Sequence, residues 1–429
     1  MRNVKVALLP VLGIFFLYPA YAQQKSANAN DSLAVQVQKI SKTVQALEKI
    51  KISGYIQAQY QKADTAGIKT FNGGDFPSVS SQRFMVRRGY LKIAYTGKLS
   101  TYVLQFNVNE KGFGVRDAYL TVKEPWWNTL SLTAGLFFRP FGYELSYATN
   151  KRESPELSRV VQSLFPGERD LGASLTFQLP EKSKLHPLKI EAGLFNGNGT
   201  ASETDDKLDF IGRIGYSVND NKTINWGAGV SYYNGSVFLP QSLKAFEMDV
   251  FDGTPAFGQM NLDSLKGNYL ERRYLGFDGQ LAIKSGIGVT TLRADYIVGK
   301  QPGTAKSSIS PTALLESPVY IRNFSGAVVY LIHTIPNTKH SVVFKFDYLD
   351  PNTDTDADRI GLKSAAYTAT GNTDLAYRTF GFGYFNDLNP NLRLTLYYEI
   401  TKNETSSNVK GYTKDLKDNL LTIRAQYKF

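Results

Sequence analysis

Residues 138–172 read FRPFGYELSYATNKRESPELSRVVQSLFPGERDLG, and the strict alternation of apolar and polar residues on either side of them stops inside them. Ahead of the stretch, Leu130, Leu132, Ala134, Leu136 and Phe138 share one face, and Ser131, Thr133, Gly135 and Arg139 share the other. Behind it, Leu171, Ala173, Leu175, Phe177 and Leu179 repeat the pattern. Such period-two alternation marks strands with one apolar face. Within the stretch, Ser154 suits a helix N-cap and Pro155 the first helical position, and Leu157, Val160, Val161 and Leu164 fall on one face before Pro166-Gly167 ends the run. The reading is a long loop that carries a short amphipathic helix and folds into the lumen of a β-barrel, where it sets width and charge. A surface loop with an incidental helix is the alternative.

Outward from there, about 16 segments alternate in the same way: 50–60, 82–96, 99–109, 114–123, 129–139, 170–179, 187–196, 207–218, 223–233, 271–284, 288–298, 320–332, 340–349, 376–387, 391–401 and 419–429. The segment from Leu392 shows it well, with Leu394, Leu396, Tyr398 and Ile400 on one face. Short connections such as 96–98, 219–222 and 285–287 alternate with much longer ones, and 110–113 is the exception among the long set. Membrane barrels are built in this way, with an even strand number, short turns at one end and long loops at the other. Tyr (26), Phe (26) and Gly (36) are abundant, as aromatic girdles and many short strands require. The expected fold is therefore all-β, a transmembrane antiparallel β-barrel of about 16 strands with an inward-folded third loop and a short N-terminal helix. A β-sandwich alternates too, but does not pair its buried face with aromatic strand ends and alternating loop lengths.

Three segments are expected: 1–22, 23–49 and 50–429. Arg2 and Lys5 precede an apolar run from Val6 to Tyr18 that ends in Ala20-Tyr21-Ala22, the pattern of an export signal cleaved before Gln23. Its loss takes the formal charge from +11 to +9. Over 23–49, Leu33, Val37, Ile40, Val44 and Leu47 recur at spacings of four and three, a heptad seam. About two heptads are marginal alone, so the segment is read either as a small periplasmic bundle joining protomers or as a single amphipathic tether. At the other end, Leu421, Ile423, Ala425, Tyr427 and Phe429 share one face, and a terminal aromatic of this kind is the feature that outer-membrane assembly machinery reads.

With alternation carried through, the inward basic residues are Lys51, Arg88, Lys92, Arg139, Lys189, Arg213, Arg293, Lys345, Arg393 and Arg424, against Asp117, Asp170, Glu191, Asp278, Asp295, Asp347 and Glu399. Basic exceeds acidic, and a low-dielectric wall focuses the field of the excess, so small anions are the expected partner. Cross-strand pairing, as of Arg293 with Asp295 or Arg213 with Glu191, is the competing reading. Arg87 and Arg88 break the alternation: one sits at the outer rim against lipid phosphate, or a bulge turns both into an anion funnel. In the inserted loop Arg139, Lys151, Arg152, Arg159 and Arg169 only balance Glu144, Glu153, Glu156, Glu168 and Asp170 in number, which describes a mixed-charge eyelet. The pathway candidates are accordingly Arg88, Lys92, Arg139, Arg159, Arg169, Arg213, Arg293, Lys345, Arg393 and Arg424.

Other chemistries have less behind them. There is no Cys, which removes disulfides, thiolate metal sites and a lipid-anchored cysteine. Asp350, Asn352, Asp354, Asp356 and Asp358 offer hard oxygens to Ca2+ but lack the Gly and Glu of the helix-loop-helix calcium pattern. His186, His333 and His340 fall in or beside short turns, so no catalytic residue and no cofactor is expected. The long loops 234–268 and 299–318 would suit a nutrient-binding receptor, but 23–49 is too short for the plug of an energised transporter.

The elements FRPFGYE, the helix-bearing loop, the returning ERDLG, the GLFNGNG of 193–199 and the final aromatic strand together resemble the phosphate-selective porin O/P family of Gram-negative outer membranes. The resemblance implies a trimeric 16-stranded channel in the outer membrane whose third loop forms the constriction. It implies small anions, phosphate or polyphosphate, as solutes, with Arg139 and Arg169 at the two ends of that loop. It also implies lipid, two further copies of the chain and the barrel-assembly machinery at Phe429 as partners, and no nucleic acid. A general or sugar-tolerant porin is the alternative function.

Overall fold

The computed structural model describes residues 29–219, 223–261 and 267–429, so the export signal expected over 1–22 lies outside the described residues. The strands are β1 (Ile50–Ala63), β2 (Gln82–Thr96), β3 (Ser100–Asn109), β4 (Gly112–Lys123), β5 (Leu130–Phe138), β6 (Arg169–Gln178), β7 (Leu188–Phe195), β8 (Asp209–Val218) and β9 (Ile224–Phe238). They continue with β10 (Ala245–Phe251), β11 (Thr254–Gln259), β12 (Tyr269–Ser285), β13 (Gly288–Thr304), β14 (Val319–Thr334), β15 (His340–Asp350), β16 (Tyr377–Asp387), β17 (Leu392–Asn403) and β18 (Leu420–Lys428).

Sixteen of these form a closed antiparallel barrel. Each pairs with its neighbour in sequence, β9 pairs with β12, and β1 pairs with both β2 and β18. Closure satisfies every edge, as a wall in hydrocarbon demands. The last residue takes part, since Gly54 N donates to Phe429 O at 3.1 Å and Phe429 N to Gly54 O at 3.0 Å. Outward residues such as Leu132, Leu175, Leu396 and Ile423 are exposed, while Gln57, Gln59, Thr395 and Gln426 on the inner face are buried. The period-two code is therefore written apolar-out and polar-in, the reverse of a soluble barrel.

The remaining two strands form a hairpin in the connection between β9 and β12, which was expected to be loop. Residues 245–247 of β10 run parallel to the start of β14, and Phe257 of β11 exchanges backbone bonds with Thr368 across the barrel's long-loop end. Several barrel strands also extend further toward that end than their alternation suggested; β13 reaches Thr304 where 298 was expected.

The N-terminal helix α1 (Ala29–Glu48) is a unit of its own, along which Leu33, Val37, Ile40, Val44 and Leu47 are exposed.

Candidate functional site: the loop inside the barrel

The 139–168 connection between β5 and β6 folds into the barrel interior and touches walls far from its own strands. Its helix, α2 (Arg159–Leu164), is shorter than expected and is capped by Ser158, not Ser154. The cause is Glu156. It is drawn out of helical geometry toward β2 and β18, where Arg87 reaches it at 2.8 Å, Arg88 at 2.5 Å and Arg424 at 3.1 Å. Ser154 Oγ instead donates to Glu156 O at 2.6 Å. Glu144 takes over the capping region by accepting from Ser158 N at 2.9 Å and from Tyr330 OH of β14 at 2.6 Å. Asp347 of β15 accepts from Arg159 N at 2.7 Å.

The apolar face of α2 has a dedicated surface. Phe195, Ile211, Tyr233, Tyr274, Ile297, Phe324 and Leu349 come one each from β7, β8, β9, β12, β13, β14 and β15, and pack with Phe141, Leu157, Val160, Val161, Leu164 and Phe165 of the loop. Gly326 of β14 makes the approach possible, since a Cβ there would lie 2.3 Å from Val160. At about 25 cal/mol per Å2 of apolar area removed from water, burial of this belt attracts the loop to the wall.

Two β-bulges load the opposite wall with charge. Gln57 faces Arg88 but Ala58 faces Val86, so Arg87 is the extra residue. Gln105 faces Asp117 but Phe106 faces Val115, so Arg116 is extra on β4. Arg87 and Arg88 therefore both point inward, which corrects the expectation of a rim arginine on lipid. Arg116 was missed altogether. It joins Arg152 and Arg169 around Glu168, at 3.0, 3.1 and 2.8 Å, while Arg169 also holds Asp117 at 3.0 Å. Burial opposes ionisation of Glu156 and Glu168, but the surrounding guanidinium groups outweigh it and hold both carboxyls below the usual carboxylate range. Phe138, expected on the lipid face, lies against the Arg169 guanidinium at 3.6 Å and lines the two inner chambers, although it is still paired with Arg169 as the last residue of β5.

The other candidates are placed as follows. Arg139 pairs with Asp170 at 3.2 Å and Lys345 with Asp347 at 3.3 Å, both buried. Arg293 pairs with Glu153 of the loop at 2.8 Å, not with Asp295, whose carboxylate accepts from Tyr143 N. Arg213 pairs with Asp278 at 2.6 Å, not with Glu191, which is held by Lys189. Arg393 pairs with Asp387 at the short-turn end. Lys92 lines an inner chamber and has no ion pair among the described residues. Arg159 has no carboxylate within ion-pair distance among the described residues; its guanidinium lies over the Tyr377 ring at 4.0 Å and the Phe71 ring at 4.7 Å. Two further buried pairs, Arg272–Asp209 at 2.5 Å and Arg322–Asp374 at 2.8 Å, tie long loops to the wall and were missed because their acids lie at strand ends or in loops.

Both signs of charge occur around the whole interior. Arg87, Arg88, Arg116, Arg169 and Arg424 project from β2, β4, β6 and β18 alongside Asp117 of β4 and Asp170 of β6, and Asp278, Asp295, Asp347 and Glu399 project from β12, β13, β15 and β17 alongside Arg293 of β13 and Lys345 of β15. A vestibule of about 750 Å3 opens above the loop at the long-loop end. Two chambers of about 920 and 690 Å3 lie below it, and both are lined by Phe138, Lys189 and Glu191. The barrel has the porin fold. It is similar to OprB of Pseudomonas putida at 11% identity, with a TM-score of 0.57 over 91% of this chain and 97% of that one. It is similar also to the outer membrane channel DcaP of Acinetobacter baumannii (13%, TM-score 0.53, 89% and 97%) and to Salmonella typhi OmpF, solved with daunomycin (11%, 0.53, 89% and 97%). No family model matches the chain, and no curated protein matches it.

The calcium candidates do not converge. Asp350 accepts from Asn352 N, Asp354 from Asn323, Asp356 from Arg359 and Asp358 from Ser407, and no metal-holding cluster occurs among the described residues. Of the histidines, His186 Nδ1 lies 2.6 Å from Leu179 O, His333 Nδ1 2.9 Å from Thr290 Oγ1 and His340 Nδ1 2.6 Å from Tyr384 OH.

Proposed function

We propose that this chain is a passive diffusion channel of the bacterial outer membrane that favours small anions, with the 139–168 loop as its constriction. The observation that carries the preference is the imbalance at the two loop anchors: Arg87, Arg88 and Arg424 surround Glu156, and Arg116, Arg152 and Arg169 surround Glu168 and Asp117. Six guanidinium groups against three carboxylates leave positive charge at the loop's anchors inside the lumen, and the low-dielectric wall amplifies it. Phosphate or polyphosphate, the solutes of the phosphate-selective O/P porins, fit the forked donors of arginine. The test is the reversal potential in a planar bilayer under a KCl gradient, with phosphate added to look for block. An anion-directed potential with phosphate block supports the reading; a potential near zero without block refutes the preference.

A general porin is the second reading, favoured by the one-to-one matching of Arg139, Arg213, Arg293, Lys345 and Arg393 with carboxylates. Acid separates the two. Asp418, in the loop before β18, has its carboxyl raised to about 6 by burial, which outweighs the lowering effect of Arg159. Being raised, it is ionised at pH 7.5 and loses its charge as pH falls through 6. Anion preference should therefore increase between pH 7.5 and 5, and Asp418→Asn should show the acid value at both.

In this reading the long-loop end faces outward, the short turns and α1 face the periplasm, and Phe429 is read during assembly. The seam of α1 suits self-association: Val37 and Val44 take a positions and Leu33, Ile40 and Leu47 d positions, with uncharged Gln36, Ser41 and Thr43 flanking them, so identical copies do not repel. The number of copies, three, is what the family resemblance implies. Ile40→Asn should lower the temperature at which the oligomer dissociates in semi-native electrophoresis and leave the monomer's heat-modifiable migration unchanged. An unaltered dissociation temperature makes α1 a tether.

A further inference from the structure

We infer that the outer vestibule is a recognition site for a carboxylated sugar, a hexuronate, with Arg159 as the carboxylate anchor. This rests on the channel reading and names the solute class that the vestibule selects.

Buried polar atoms in folded proteins almost always have a hydrogen-bond partner. Three residues that each carry an atom without one line this one cavity: Arg159 (Nε), Ser163 (Oγ) and Asp418 (Oδ1). Ser163 is 2% exposed and follows Arg159 by one turn of α2, so the cation and the hydroxyl share the vestibule floor. The cavity, about 750 Å3, lies within the roughly 300–1,000 Å3 range of small-molecule sites.

The identity of the missing partner follows from the chemistry of each group. The Arg159 guanidinium lies over the Phe71 and Tyr377 rings, and the forked edge of its donors meets no carboxylate among the described residues. That edge matches a carboxylate, whose two oxygens take parallel N–H donors. Asp418 Oδ1 requires a donor from the ligand, and Ser163 Oγ supplies or takes a proton; hydroxyl groups meet both needs. Tyr412 lines the same cavity, and an aromatic residue there suits the apolar side of a sugar ring. One molecule with a carboxylate, several hydroxyls and an apolar ring face satisfies the whole set.

Inorganic phosphate fits less well here. Arg87, the other guanidinium of the vestibule, is already held at both ends by Glu156, and the remaining cations, Lys69, Lys306 and Lys417, are exposed on the rim loops. An unpaired carboxylate on the floor also repels a multiply charged anion more than a singly charged one.

The test is calorimetric titration of the full chain in detergent with sodium glucuronate, and with glucose, sodium acetate and sodium phosphate as comparators. Glucuronate should bind roughly 10-fold or more tighter than glucose or acetate, each of which supplies half of the contacts. Arg159→Gln should weaken it roughly 10- to 100-fold, the worth of a charge-assisted hydrogen bond, and Ser163→Ala several-fold. Heat-modifiable migration verifies that both variants fold, and acetate binding is not expected to respond to Ser163→Ala. Glucuronate binding no tighter than acetate or phosphate, or equal affinity in wild type and Arg159→Gln, overturns the proposal. Binding without conductance in bilayers leaves the site standing and overturns the channel reading instead; conductance without binding does the reverse.

Discussion

Glu156→Gln should give a channel of higher and noisier conductance with a stronger preference for anions. The side chain is 3% exposed and meets three guanidinium groups from two strands, with Arg424 also held by Gln59 Oε1 and Pro155 O at 2.8 Å each. Removing one partner of a buried ion pair costs about 3–5 kcal/mol, because the charge left behind remains desolvated. Here three arginines are left behind, and the loop loses its ion pairs to β2 and β18 together. Both consequences act in one direction: the loop moves away from that wall, and the wall becomes more positive. Single-channel recording with reversal potentials reads both at once. The latch should not respond to moderate acid. Since the Glu156 carboxyl is held below the usual range, its contribution is present above the ordinary carboxylate value and is lost only at far lower pH, so wild-type conductance should be steady between pH 7 and 4.5 wherever it depends on this contact. Wild-type conductance in the Glu156 variant would show that the loop is held by its apolar face alone.

The barrel itself was written plainly in the sequence. All sixteen ring strands fall on the alternating segments, because each has lipid on one side and water or polar loop on the other, and a two-sided environment leaves a two-sided pattern. Where the environment is not two-sided the pattern weakens. The strands β7 to β15 place Phe195, Tyr233, Tyr274 and Phe324 inward, and alternation shows them only as apolar residues without stating that a loop covers them. Bulges are the second failure. Arg87-Arg88 was recognised as an anomaly, yet Arg116-Asp117 carries the same signal, two adjacent charged residues inside an alternating strand, and both proved to be the points where the wall grips the loop. By contrast Arg272-Arg273 keeps regular alternation, with Arg272 buried and Arg273 exposed, so the doublet alone does not announce a bulge. Partner choice was the least legible feature. Arg293 and Arg213 each have an acid near at hand in the sheet, but Glu153 wins Arg293 because the loop's position, which no local pattern encodes, brings it closer, and Arg213 reaches across Gly229 of β9 to Asp278 of β12 while Lys189 holds Glu191.

Val160→Asp should release the loop from the other side. Val160 is fully buried between α2 and β14, where the only space is that left by Gly326. A carboxylate placed in this apolar cluster costs several kcal/mol to bury, so the apolar belt opens instead. The barrel should still form, since its ladder bonds run between neighbouring strands and none passes through the loop. The expected signature is a folded, heat-modifiable barrel whose loop is cut by trypsin near Lys151 and Arg152, with conductance raised above wild type. Val160→Ala removes only methyl groups and should cost about 2 kcal/mol, leaving the loop protected. Comparing the two anchors then ranks them. If Val160→Asp exposes the loop while Glu156→Gln only widens the passage, the apolar belt determines where the loop sits and the arginine cradle determines how far it reaches across the lumen; the same exposure from both would mean that neither anchor holds the loop without the other.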